Sequence, residues 1–188
     1  MNENHIKVNE NLTKADLKAH LLKSITDFNS LVESLDKQEF ERQPGGKWSA
    51  GQDLNHLVKS NRTFGLVFSL PLFLLNFMYG KANRPSRSLS ALKTKYAEKA
   101  NNSGLQAPGY LKPGKIYAEE KEVWIRKHIA SGEYLLKCLD RYSESALEEN
   151  IMGHPLFGKV TVREMFMSIF MHIYHHHAIL LKKLGKSA

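Results

Sequence analysis

The chain carries one cysteine in 188 residues, Cys138, so no internal disulfide can staple it. A reducing compartment, the cytoplasm, is the setting this implies. Leu135, Leu136 and Leu139 surround that thiol in sequence, which reads as a small buried hydrophobe rather than a nucleophile. An apolar leader is not expected either: residues 1–10 are mostly polar and lack the apolar stretch of a secretory signal. No run is long enough to span a bilayer. The longest, Phe64 to Tyr79, has 16 residues and is interrupted by Ser69, Pro71 and Asn76, where about 20 apolar residues are needed. It is expected as a buried core helix kinked near Pro71. Strict alternation of apolar and polar residues is also lacking, so no sheet is expected.

What is present is helical periodicity. Apolar residues Leu17, Leu21, Ile25, Phe28, Leu31 and Leu35 recur every three or four positions, predicting a helix from about Thr13 to Leu35. Thr13 and Asp16 form a capping pair at its start. A second helix starts at Ser49, capped with Gln52, and runs through His56 towards Tyr79. A third spans about Ile116 to Leu139 behind Pro113-Gly114, and a fourth runs from Thr161, capped with Glu164, to about Leu184 before Gly185. The fold class expected is all-α, one domain over residues 1–188, built as a four-helix bundle.

Proline and glycine are concentrated in one place. Residues 80–115 hold Pro85, Pro108, Pro113 and four glycines, with a short helix expected around Leu89–Lys99. This long connection between the second and third helices is also where the charge sits. Eight basic residues face one acid, Glu98, giving +7 of the chain's formal net +8. Long connections of this kind often serve as lids or binding loops. Nucleic acid is a conceivable partner for so basic a segment, but it offers only Tyr96 and Tyr110 for stacking and no recognised motif. A solvated charged loop accounts for the segment.

Nine histidines are present. In the fourth helix the apolar stripe reads Val162, Met165, Ile169, His172, His176 and then Ile179 or Leu180, so two histidines occupy core positions one turn apart. Imidazoles at i and i+4 can converge on one metal ion, and two ordinary buried histidines are the alternative. His175 and His177 fall to either side of the stripe, as rim or solvated residues. His5 and His20 read as surface residues and His154 as a loop residue, while His128 has the option of facing inward. A third ligand must come from elsewhere. His56 is the best candidate, although it lies off the stripe of Leu54, Leu57, Val58, Asn61 and Phe68.

At these residues the chain resembles the DinB-like superfamily, which includes the YfiT-type proteins. Trp48-Ser49 followed by Leu54-Asn55-His56-Leu57 is similar to that family's helix start, with its histidine eight residues after the tryptophan. The stretch from His154-Pro155-Leu156-Phe157-Gly158 through Thr161-Val162-Arg163-Glu164 to His172 and His176 is similar to its final segment. The resemblance covers most of the chain. It implies a four-helix bundle, usually dimeric, with His56, His172 and His176 holding a divalent metal such as zinc or nickel. It also implies thiol-dependent S-transferase or hydrolase chemistry on a small molecule, with a low-molecular-weight thiol as a possible co-substrate. A non-catalytic metal-binding or stress-related bundle is the alternative. No general base stands out: Glu164 has a capping role, and His175 and Tyr174 are only conceivable proton carriers.

Overall fold

The computed structural model describes residues 12–102 and 107–186; the expectation for His5 lies outside them. Four long helices form the bundle: α1 (Lys14–Glu33), α3 (Ala50–Phe68), α6 (Lys121–Asp140) and α8 (Val162–Lys183). Short helices α2 (Lys37–Glu41), α4 (Leu72–Tyr79), α5 (Leu89–Asn102) and α7 (Glu144–Glu149) fill the connections. The capping boxes at Thr13–Asp16, Ser49–Gln52 and Thr161–Glu164 are formed, each satisfying two otherwise orphaned amides. Gly185, at φ 70°, takes the left-handed conformation that ends α8.

Helices α2 and α7 are additional to the sequence expectation, and α6 begins at Lys121 rather than near Ile116; two further features differ more. A two-stranded antiparallel hairpin, β1 (Ile151–His154) with β2 (Gly158–Thr161), precedes α8. Strands of four residues are too short for alternation to declare itself, and turn chemistry at Gly158 (φ 71°) carries the information instead. The second predicted helix, moreover, is two helices. α3 and α4 meet at 98° across Ser69–Pro71, a corner rather than a kink. Pro71 has no N–H to continue the ladder, and the Ser69 hydroxyl bonds back to the Gly65 carbonyl at 2.9 Å. Of α4's apolar residues only Leu75 is fully buried, so that segment is not the core helix expected. Among the described residues no single helix is long and apolar enough to cross a membrane.

Phe28, Leu54, Leu57, Phe68, Leu135, Phe166 and Phe170 are sealed in the core, with Phe68 stacked on Phe166 at 4.2 Å. Glycine sets how closely α6 approaches its neighbours. A Cβ on Gly65 would fall 2.4 Å from the Tyr134 ring, and one on Gly132 would fall 2.2 Å from Ile25 Cδ1. The α3–α6 and α1–α6 contacts are therefore tight, whereas antiparallel α3 and α8 meet only sparsely. That looser seam is where the histidines lie.

Candidate metal centre

His56 projects from the second turn of α3, and His172 and His176 project from successive turns of α8. The three imidazoles turn their Nε2 atoms towards one point. His172 Nε2 is 3.1 Å from His56 Nε2 and 3.1 Å from His176 Nε2, and the three ligand atoms lie within 4.8 Å of one another. Tetrahedral zinc with nitrogen ligands at about 2.0–2.1 Å would set neighbouring nitrogens about 3.3 Å apart. The two edges that His172 makes are within a few tenths of an ångström of that spacing.

The tautomers support convergence. His56 Nδ1 donates to the Leu111 carbonyl at 2.9 Å, and His176 Nδ1 donates to Asp53 Oδ1 at 3.0 Å. A neutral imidazole with its proton on Nδ1 has a lone pair on Nε2, so both rings are set as ligands by what they touch on the far side. Burial pushes the pKa of all three imidazoles down, furthest for His172 and His176, which holds them in the neutral form a metal requires.

Behind the rings stands a buried polar pair. Asp53, on the first turn of α3, is 1% exposed. Its second oxygen accepts from Lys183 Nζ at 2.5 Å, and the same ammonium reaches the Trp48 carbonyl at 2.7 Å. Desolvation outweighs the lysine and raises the Asp53 pKa to about 6. The Trp48 ring lies 4.9 Å from that of His56 and stacks 6.2 Å from that of His176, walling the site. The sequence does not single out Asp53, Lys183 or the Leu111 carbonyl, although two carry a signal. Asp53 is one turn before His56, and Lys183 continues the stripe of His172, His176 and Leu180. Leu111 sits in the long connection, where no periodicity operates.

The remaining histidines divide. His128 is fully buried, its Nδ1 on Asn29 Oδ1 at 2.8 Å. His20 is half-buried on Phe170, at 4.9 Å, rather than fully at the surface. His175 lies 5.5 Å from the Tyr96 ring of α5, so the basic connection flanks the site. His154 ends β1 instead of lying in a loop; its Nδ1 accepts the amides of Leu156 and Phe157, at 3.0 and 3.3 Å. Glu164 does more than cap α8. Its fully buried carboxylate is gripped by Arg84 (2.7 and 2.8 Å) and by the backbone and side chain of Arg87, which tethers the start of the connection. The far end is tied to α3 through Leu111 on His56, the Lys112 carbonyl on Lys59 and the Gly114 amide on Asn55.

A family model of the DinB superfamily matches residues 20–180. Among solved structures, YfiT from Bacillus subtilis, described as a probable metal-dependent hydrolase with an unusual four-helix bundle topology, aligns with a TM-score of 0.58. The two share 17% identity over 93% of this chain and 89% of that one, a likeness of fold. No protein of curated function matches the chain.

Proposed function

The chain belongs to the DinB superfamily, and from that premise we propose that it is a metal-dependent enzyme whose divalent ion is held by His56, His172 and His176. The observation that carries this reading is the convergence of three Nε2 atoms, two of them on rings whose Nδ1 protons are already committed to Leu111 and Asp53. Bound there, zinc or nickel would supply Lewis acidity and lower the pKa of a coordinated water or thiol. Three protein ligands leave a position open for that nucleophile. The protein's part is to hold the rings. Asp53 and Lys183 fix His176, Leu111 fixes His56, and the Trp48 face excludes water from one side. Hydrolysis and transfer to a low-molecular-weight thiol are the two reactions such a nucleophile supports on a small electrophile. The homodimer and the cytoplasmic setting that go with the family resemblance belong to the same proposal.

Elemental mass spectrometry on untagged protein, beside His172→Ala and His176→Ala, is the test. About one divalent ion per chain, lost in both variants, is expected. Failure of the wild type to take up zinc, nickel or manganese would refute the reading. With metal established, turnover of activated esters in water, compared with turnover of alkyl halides with added thiol, separates the two reactions.

A further inference from the structure

Helix α4 turns its apolar surface outward. Phe77 is 88% exposed, Phe73 75%, Met78 52% and Leu72 38%, and Leu66, on the last turn of α3, is 67% exposed. Phe73 and Phe77 are one turn apart and stand on the same face. A contiguous apolar surface of this kind on a folded chain marks a contact site rather than scattered exposure. The 98° corner turns α4 away from the α3 axis, and Leu66 precedes Leu72 by six positions on the α3 side of that corner.

The rim of this surface is cationic at both ends. Where α4 begins, Arg141 donates to the Ser69 carbonyl at 3.3 Å, and exposed Lys137 lies one turn before it on α6. Exposed Arg62 lies one turn before Leu66 on α3. Where α4 ends, Lys159 Nζ donates to the Tyr79 carbonyl at 3.0 Å, and Lys81 follows, paired with Glu149 at 3.5 Å. In a two-fold contact between copies through α4, the helices run parallel or antiparallel. Either way, Arg141 and Lys159 of one copy face the same cations of the other. A flat anionic surface meets no such repulsion, since the apolar stripe enters its boundary while the rim charges pair with headgroups.

We infer that α4 and the end of α3 form a docking surface for an anionic lipid bilayer, with Phe73 and Phe77 as the inserted side chains and Arg62, Arg141 and Lys159 as the headgroup contacts. The segment lies in the bilayer surface and does not cross it: α4 has eight residues, about 12 Å of helix. His56 is twelve positions before Phe68 on α3, so the histidine cluster stands about 18 Å along that helix from the docked end. The bundle would then sit on the bilayer with its histidines held clear of the lipid. A homodimer is left to another face.

Co-sedimentation of the full chain with vesicles of phosphatidylcholine alone, and with vesicles about half phosphatidylglycerol, tests this. The wild type should pellet with the anionic vesicles at least about tenfold more strongly than with the neutral ones, and added salt should weaken that binding. Phe73→Ser combined with Phe77→Ser should abolish it. Both positions are exposed, so the circular dichroism and metal content of this variant should match wild type. Phe77→Trp should retain binding and show blue-shifted emission on vesicles. Three results overturn the proposal: no pelleting of the wild type with anionic vesicles, equal pelleting of the double serine variant, or a wild-type dimer in sedimentation that the double serine variant converts to monomer. The last would give the surface to a second copy of the chain.

Discussion

Replacing Asp53 with asparagine removes one charge and almost no volume, yet the geometry predicts a large effect on metal affinity. The carboxylate accepts two bonds, from His176 Nδ1 at 3.0 Å and from Lys183 Nζ at 2.5 Å. An amide has one accepting oxygen. If that oxygen keeps His176, the amide NH2 faces the ammonium of Lys183, donor against donor. If it keeps Lys183, the NH2 faces His176 Nδ1, which must then accept, and the ring proton moves to Nε2, the atom needed for the metal. Removing a partner of this kind lowers metal affinity by about 10–100-fold, or about 1.4–2.7 kcal/mol. Competition against a chromophoric chelator measures that affinity, and 15N chemical shifts of the His176 ring report the tautomer. Zinc affinity within about twofold of wild type, with Nδ1 still protonated, would refute the claim that Asp53 sets the ligand.

Other consequences are testable in the same way. His128 is fully buried, burial lowers its pKa to about 3, and its Nε2 has no hydrogen-bond partner among the described residues. Because the folded value lies below the unfolded 6.5, the unfolded chain binds the extra proton first, and stability falls as pH drops from about 6.5 towards 3. Between about pH 7.5 and about pH 5 this single group removes about 2 kcal/mol. In urea melts His128→Gln should lose that much less than wild type over the same range, and parallel curves would sink the idea. Arg84→Ala leaves the buried Glu164 carboxylate with Arg87 as its remaining cation. Arg84 is itself one-third exposed, so a loss of about 2 kcal/mol is expected, below the range for a fully buried pair, read as a lowered Tm. Gly65→Ala puts a methyl group 2.4 Å from the Tyr134 ring, and overpacking should destabilise the fold by about 1–3 kcal/mol.

The long helices were legible because each carries its own signal. The Thr13, Ser49 and Thr161 caps and the three-four spacing are local properties, and each is formed as read. His172 and His176 were legible for the same reason. The position of His56 against them was not, because it follows from how α3 packs across a seam, and its residue lies off its own helix's stripe. The family resemblance supplied it. Pro71 announced a disturbance, but a proline cannot say whether a helix bends slightly or turns a corner; the apolar run beyond it read as core and emerged as surface. The hairpin before α8 escaped because four-residue strands hold too few positions to show a period.

The basic connection is moored twice. Near its start Arg84 and Arg87 hold Glu164 on the helix that bears two of the histidines, and near its end the Leu111 carbonyl holds the third histidine. The slack between those moorings is fixed by the number of residues in the chain. Lengthening the span would let its middle bow outward without disturbing either knot, and trimming it would draw Leu111 off the His56 ring and leave that imidazole free to turn. The span thus joins the helix that bears two of the histidines to the ring of the third, so that a deletion far from any histidine would be felt at one.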